Sequence, residues 1–220
     1  MKLQAATQLL ALASAARSAL ADDDIPTLIS DGPFALRVKG KCSNSSVDGY
    51  LHTVPVQFTE DQMVLQYDAR RTAPRVDDPS YRFYFNYTGR MQSGARELGF
   101  FLSDRTVGGA PGSANLTGRA LSQQYRPNTN VALSVLGVRG ATVDLTGFDE
   151  GGRAFLNYYT DDSLTVPAQP ANVSLDINYY NWAVCWQTYY ATTGPFLSWI
   201  TAGEPNNPTC ERVDLLRADL

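Results

Sequence analysis

The chain has 220 residues, of which 44% are hydrophobic and 18% are charged, and its formal net charge at pH 7 is −4. One domain of this length can bury a sizeable core. The mildly acidic balance argues against nucleic acid or an anionic membrane surface as the main partner. No stretch approaches eighteen consecutive apolar residues, so we expect no membrane span.

Residues 1–21 have the pattern of a secretory signal peptide. Lys2 supplies a positive charge, residues 5–16 form a Leu- and Ala-rich run too short to span a bilayer, and small residues flank the last leucine. We predict cleavage after Ala21 and one secreted domain over residues 22–220. The alternative is a short N-terminal helix of the folded domain. Cleavage would remove two basic residues and no acidic one, which takes the net charge from −4 to −6.

Short strands separated by Gly, Pro, Asn and Asp follow along the mature chain. Most of them alternate apolar and polar residues, which is the spacing of a strand with one buried face. Pro55 makes its strand an edge strand or a bulged one. The predicted strands up to residue 177 cover residues 34–38, 50–58, 62–67, 81–87, 98–102, 116–123, 131–138, 141–145, 153–159 and 173–177.

Residues 68–80 interrupt this series with charges, two prolines and no apolar periodicity. The pattern predicts a long exposed loop. Its Arg70-Arg71 pair could be a dibasic processing site, and we favour two solvated charges instead.

Residues 181–216 contain all three tryptophans and two of the three cysteines. Their period-two alternation predicts three strands folded back on each other. A bond between Cys185 and Cys210 would join neighbouring strands and stabilise the fold by about 3–4 kcal/mol. Cys42 could instead belong to the pair, because spacing does not define connectivity. If Cys42 is free, we expect it to be buried, and the alternative is an exposed thiol that forms a dimer.

The strand pattern predicts an all-β fold, an antiparallel β-sandwich or barrel of about twelve short strands. No segment of helical length after the signal keeps an apolar stripe at i, i+3, i+4 and i+7. A β-trefoil is the alternative on strand count, although no threefold repeat is visible.

Four N-x-S/T sequons accompany the signal peptide, and together they predict a glycosylated secreted protein. A glycosylated asparagine must face water. The predicted sites are Asn44, Asn86, Asn115 and Asn172.

The sequence has no catalytic signature, and we predict no catalytic residue, cofactor or metal site. The single histidine, His52, lies in a predicted strand, where a structural role is the default. No G-x-S-x-G elbow, glycine-rich phosphate loop or C-x-x-C pair is present. A glycosidase would need two carboxyl groups across a cleft, one of them with a raised pKa. The available acids are Asp144, Asp149, Glu150, Asp161, Asp162, Asp176 and Glu204, and most of them lie in turn-like sequence.

Eleven of the twenty-four aromatic residues fall between Phe155 and Trp199. We expect Trp182 and Trp186 to lie in the core together with Val184, whose strand face they share. One member of each tyrosine pair should point outward, which would suit sugar stacking or a protein partner. The candidate binding residues are Tyr158, Tyr159, Tyr179, Tyr180, Tyr189 and Tyr190.

Short motifs spread over most of the mature chain carry a family resemblance. They are Gly32-Pro33-Phe34-Ala35-Leu36, Trp182 with Cys185, Trp199, Pro205, Asn207-Pro208, Cys210 and Val213-Asp214. The combination resembles an uncharacterised family of small secreted proteins from filamentous ascomycete fungi. The resemblance implies an extracellular or cell-surface setting, a disulfide between the two late cysteines and an extra cysteine at position 42. It implies no activity and no catalytic residues.

The leading hypothesis is a non-catalytic secreted domain that binds cell-wall carbohydrate or a protein partner. The motivating features are export, acidity, the sequons, the single histidine and the late aromatic cluster. A glycoside hydrolase and a structural cell-wall component are the alternatives.

Overall fold

The computed structural model describes residues 27–59, 62–103, 120–137, 143–158, 165–171, 173 and 177–220. Thirteen strands and one 3-10 turn make up the regular structure of these residues. The predicted signal peptide lies outside them. No helix in the described ranges is long and apolar enough to cross a membrane.

All neighbouring strands pair antiparallel, which confirms the predicted all-β class. The count is thirteen where the sequence predicts about twelve. In chain order the strands are β1 (Ile29–Gly40), β2 (Asp48–Pro55), β3 (Met63–Asp68), β4 (Phe83–Ser93), β5 (Arg96–Ser103), β6 (Leu121–Gln124), β7 (Val131–Leu136), β8 (Thr146–Phe148), β9 (Ala154–Asn157), β10 (Asn178–Tyr179), β11 (Trp182–Tyr189), β12 (Thr192–Ile200) and β13 (Glu211–Ala218).

Strand β1 takes part in two sheets because it changes partner near its middle. Its first residues pair with β4, and residues 35–40 pair with β13. The pairing with β4 shifts between Asp31 and Phe34, at the Gly32-Pro33 dipeptide. Gly32 has a φ of 140°, and a Cβ there would lie 2.8 Å from the carbonyl oxygen of Phe83. Only glycine therefore fits at this change of partner.

The first sheet continues from β1 through β4, β5, β8, β9 and β10. In the second, six strands close a ring of pairings in the order β1, β2, β3, β12, β11, β13. The ring closes where Phe196 of β12 meets Gln66 of β3, and β7 pairs with both strands beside that point. This barrel-like ring with an attached sheet fits the predicted sandwich or barrel. Pro55 ends β2 where only β3 pairs with it, as an edge proline requires.

The main core lies between the ring and the first sheet. The aromatic rings of Phe34, Phe85 and Phe101 pack edge-to-face there. Trp182 is fully buried, packs against Trp199 at 4.9 Å between centroids, and donates from Nε1 to the carbonyl oxygen of Ala154 at 2.8 Å. The predicted core position of Trp182 is thus confirmed, and the buried indole N–H has the partner that it needs.

Cys185 and Cys210 form a disulfide, as predicted. Cys185 is fully buried and packs with residues of β7 and β12, whereas Cys210 is partly buried. Cys42 is free and exposed, so the expectation that it would be buried is wrong. It lies in the turn that follows β1, outside every core cluster of the described residues.

Candidate functional site

A groove of about 750 Å³ is lined by residues of the six-strand ring. Strands β2, β3, β11 and β12 each supply part of its wall, and the turn that follows β3 supplies the rest. Its lining residues are His52, Gln66, Tyr67, Asp68, Ala69, Arg70, Arg71, Trp186 and Pro195. We call it the Trp186 groove.

Trp186 is 59% exposed, which is rare for a tryptophan and corrects the prediction that it lies in the core. It shares a face of β11 with Trp182 and Val184, as the alternation predicts, and both of these are buried. The cover over that face ends after Val184, so the next side chain along it emerges into the groove. An exposed indole offers a flat apolar face with a polar N–H at its edge.

The backbone of Trp186 is held on the side of β11 that faces away from β12. Its N–H donates to Oγ1 of Thr209 at 3.0 Å, and its carbonyl oxygen accepts from Nδ2 of Asn207 at 3.0 Å. The Thr209 hydroxyl donates to Oδ1 of Asn207 at 2.7 Å, which joins the two contacts. Cys185, the preceding residue, is bonded to Cys210. The indole therefore stands on a backbone fixed at several adjacent points.

A second wall of the groove contains the single histidine. His52 pairs with Gln66 across β2 and β3, and its ring stacks on Tyr81 with centroids 5.3 Å apart. Tyr81 belongs to the 3-10 turn Pro79–Tyr81 rather than to the predicted strand at 81–87. Its hydroxyl donates to Oδ2 of Asp68 at 2.9 Å. This stacked arrangement agrees with the structural role expected of His52.

Asp68 is the only carboxylate that lines the groove among the described residues. Burial alone would raise its pKa, but hydrogen bonds from the backbone N–H of Arg70 and the hydroxyl of Tyr81 outweigh burial and lower the pKa of Asp68. Burial, together with the bond to Asp68, raises the pKa of Tyr81 to about 12. At neutral pH Asp68 is therefore an ionised acceptor and Tyr81 a neutral donor.

Two arginines complete the wall beside Asp68. Nε of Arg71 lies 3.5 Å from Oδ2 of Asp68, so this cation is paired. Arg70 is exposed, and its side chain forms no ion pair within the described residues. The lining of the groove therefore includes two arginines and one aspartate, a local excess of positive charge in an acidic chain.

The predicted tyrosine set does not line one groove. Tyr158 and Tyr179 are half-buried, pack against the main core and lie 6.3 Å apart between ring centroids. Tyr180 is half-buried elsewhere, with Arg153 4.9 Å from its ring centroid. Tyr159 lies outside the described residues. The three described tyrosines are half-buried against other residues and do not form one exposed aromatic surface.

The last tyrosine pair behaves as the alternation predicts. Tyr189 is buried and donates to Oε1 of Gln62 at 2.8 Å, whereas Tyr190 is 58% exposed in the turn after β11. Neither residue lines the Trp186 groove. The expectation that one member points outward is confirmed here, but for the pair Tyr179 and Tyr180 both members are half-buried.

A second polar cluster surrounds the half-buried residue Asp144. Tyr158 donates to its Oδ1 at 3.3 Å, and the hydroxyls of Tyr158 and Tyr125 lie 3.2 Å apart. Burial, only partly offset by hydrogen bonds from Tyr158 and the backbone of Gln123, raises the pKa of Asp144 to about 6. No other carboxyl group of the described residues contributes to this shift. The described part of this cluster thus contains a single carboxyl group, whereas a glycosidase needs two.

The remaining predictions divide between described and undescribed residues. Asn44 is exposed, as a glycan site requires. Asn86 is only 5% exposed and its Oδ1 accepts from the hydroxyl of Ser30 at 2.8 Å, so the structure contradicts a water-facing Asn86. Asn115 and Asn172 lie outside the described residues. Within the described part of the chain, no group of three His, Cys, Asp or Glu residues could hold a metal ion.

Comparison with known proteins gives no counterpart for this arrangement. No family model, no curated protein and no solved structure matches the chain.

Proposed function

We propose that this chain is a secreted, glycosylated β-domain that binds a cell-wall polysaccharide without cleaving it. The Trp186 groove is the binding site. The observation that carries the proposal is the exposed indole of Trp186, 59% accessible on a backbone held by Thr209 and Asn207. A large aromatic face fixed before binding loses little conformational entropy when a ligand stacks on it.

The rest of the groove suits the hydroxyl groups of a sugar. Gln66 and the two arginines, which carry amide and guanidinium groups, line the same groove as the indole. Binding sites commonly combine an apolar surface with a few polar groups that orient the ligand. A protein interface needs about 800 Å² on each partner with an apolar centre. One tryptophan among polar and charged residues favours the sugar over a protein partner.

The groove lacks the chemistry of a hydrolase. Its carboxylate, Asp68, has a lowered pKa and accepts from Tyr81 and Arg70, so it has no proton to give at neutral pH. A glycosidase needs a protonated carboxyl group as general acid and a second carboxyl group opposite it. We therefore assign binding, not cleavage, to this groove.

Retention on insoluble polymers tests the proposal. Wild-type protein is incubated with chitin, β-1,3-glucan, cellulose and polygalacturonate, and the bound fraction is measured after washing. Trp186→Ala removes the indole, and Tyr190→Ala is the control because Tyr190 is equally exposed, at 58%, outside the groove. We expect at least one polymer to retain wild type and the Tyr190 variant but not the Trp186 variant. Equal retention of the two variants, or no retention of wild type, would overturn the proposal. Detergent-resistant retention independent of Trp186 would favour a structural wall component instead.

A glycoside hydrolase is the second candidate, on the strength of one observation. Asp144 is a half-buried residue whose carboxyl group has a pKa raised by desolvation to about 6, the state a general acid needs. Release of reducing sugars from the same polymers, abolished in Asp144→Asn, would support it. Absence of release by wild type would exclude this reaction on those polymers.

A further inference from the structure

We infer that the Trp186 groove selects acidic polysaccharides, whose sugar rings carry carboxylate groups, over neutral ones. The inference rests on the proposed function and names the class of its ligand. Three observations carry it: the sign of the charge in the groove, the state of Arg70, and the way the turn that bears Arg70 is held.

The charge in the groove is opposite in sign to that of the chain. The whole sequence has a formal charge of −4, whereas the groove contains Arg70 and Arg71 against the single carboxylate of Asp68. Arg71 and Asp68 compensate each other across 3.5 Å. The uncompensated charge is then that of Arg70. A local positive charge on an acidic protein attracts an anionic ligand to one place and discourages its binding elsewhere.

Arg70 differs from three other arginines whose guanidinium groups are engaged by carboxylates. Arg37, Arg153 and Arg217 each donate to an aspartate carboxylate within 2.8 Å. Arg70 gives its backbone N–H to Asp68 but has no such partner for its guanidinium within the described residues. A guanidinium presents a planar fork that matches a carboxylate, and charge-assisted bonds of this kind are stronger than neutral ones.

The turn that bears Arg70 is packed closely against β2. A Cβ at Gly49 would lie 2.6 Å from the backbone oxygen of Asp68 and 3.4 Å from that of Arg71, so only glycine permits this approach. The turn and the indole of Trp186 line the same groove. We therefore expect Arg70 to bind the carboxylate of a sugar ring that stacks on the indole. This arrangement gives the Arg70-Arg71 pair a role other than proteolytic processing.

The test compares oligosaccharides of equal length that differ in charge. Titration calorimetry measures binding of oligogalacturonate and of neutral cello-oligosaccharides to wild type in low salt. Arg70→Gln removes the unpaired cation, and Arg75→Gln removes the same charge from the following part of the loop, outside the groove lining, where Arg75 is paired with Asp77 at 3.6 Å. We expect the acidic oligomer to bind about tenfold more tightly than the neutral one, the Arg70 variant to lose that preference, and the Arg75 variant to retain it.

The binding data distinguish failure of this inference from failure of the proposed function. If wild type binds neutral and acidic oligomers equally, and Trp186→Ala abolishes both, the inference fails while the proposed function stands. If wild type binds neither, the proposed function fails as well. If the Arg70 and Arg75 variants lose equal amounts of the preference for the acidic oligomer, the preference arises from general electrostatic attraction. That result would overturn the assignment to Arg70. Sulfated dextran that binds as tightly as oligogalacturonate would overturn the assignment to a carboxylate.

Discussion

The hydroxyl oxygen of Thr209 accepts the backbone N–H of Trp186 at 3.0 Å. That N–H points away from β12, and β13 pairs with β11 only at Ala183 and Val184. Thr209 therefore replaces a strand partner just where the sheet ends. Because Thr209 precedes Cys210, the disulfide holds this side chain beside the strand that it caps. The covalent cross-link and the exposed indole thus belong to one local structure.

Replacing Thr209 with valine should weaken polysaccharide binding without removing the contact surface. Valine has nearly the same shape but can neither accept the N–H of Trp186 nor donate to Asn207, and the bond to the Trp186 N–H alone contributes about 0.5–1.5 kcal/mol. We expect an affinity loss of roughly two- to tenfold. Thr188→Val is the control, since among the described residues its hydroxyl bonds only to that of Thr193, at 2.9 Å. Equal affinities of the two variants would show that the clamp is irrelevant to binding.

Removing the disulfide should cost both stability and binding. The bond closes a loop with a sequence separation of 25, which corresponds to about 3.5 kcal/mol in the chain-entropy model. We expect the free energy of unfolding of the Cys185→Ala, Cys210→Ala double variant to be lower by about that amount, which lowers its urea midpoint. We also expect this variant to bind polymer more weakly. Cys42→Ser, at an exposed free thiol, is the control and should unfold like wild type. An unchanged midpoint in the double variant would contradict the assignment of the cross-link as stabilising.

How far the sequence predicts the site is clearest from Trp182 and Trp186. Alternation correctly places both on one face of β11, because the strand period is a local property of the backbone. Alternation cannot reveal which residues on that face are buried by other strands. Trp182 is buried by contacts with Ala154 of β9 and Trp199 of β12, and these contacts depend on the tertiary fold. The prediction was therefore right for the fold class and for Trp182 and wrong for Trp186.

The tyrosine pairs also show that sequence alternation alone does not determine which side chains are exposed. A regular strand sends consecutive residues to opposite faces. Tyr189 ends β11 and is buried, whereas Tyr190 is exposed because it lies in the turn that follows, with a φ of 50°. Tyr179 ends the two-residue strand β10, so Tyr180 is no longer held to strand geometry, and both are half-buried. The charged sequence correctly predicts that Arg70 lies in an exposed loop. It does not reveal that Arg70 and Asp68 line one groove with Trp186, because that depends on pairing between distant segments.

Glycan mapping should separate Asn44 from Asn86. Asn44 is exposed in the turn after β1, whereas Asn86 is 5% exposed and bonded to Ser30. A glycan on Asn86 would have to draw a buried polar side chain out of its hydrogen bond. We expect enzymatic release in heavy-oxygen water, followed by peptide mass spectrometry, to label position 44 and not position 86. Full occupancy at position 86 would mean that the strand pairing around β4 is incorrect.

The stability of the protein should depend on pH through Asp144. Its folded-state pKa is about 6, above the ordinary value of 3.8. The folded state therefore holds a proton that the unfolded state releases, so the stabilisation is complete below about pH 4 and is lost as pH rises through 6. A shift of this size corresponds to roughly 1–3 kcal/mol. Asp144→Asn has no proton to lose at this site.

We therefore expect the free energy of unfolding of Asp144→Asn, minus that of wild type, to increase between pH 4 and pH 7. Urea titrations at several pH values measure it. Asp31, Asp48 and Asp149 have lowered pKa values and lose stability as pH falls, but they are common to both proteins and cancel in the difference. The new amide adds a constant offset, because it does not titrate, so the slope with pH is the readout. A flat difference for Asp144→Asn would show that its carboxyl group is not desolvated in the cluster with Tyr158.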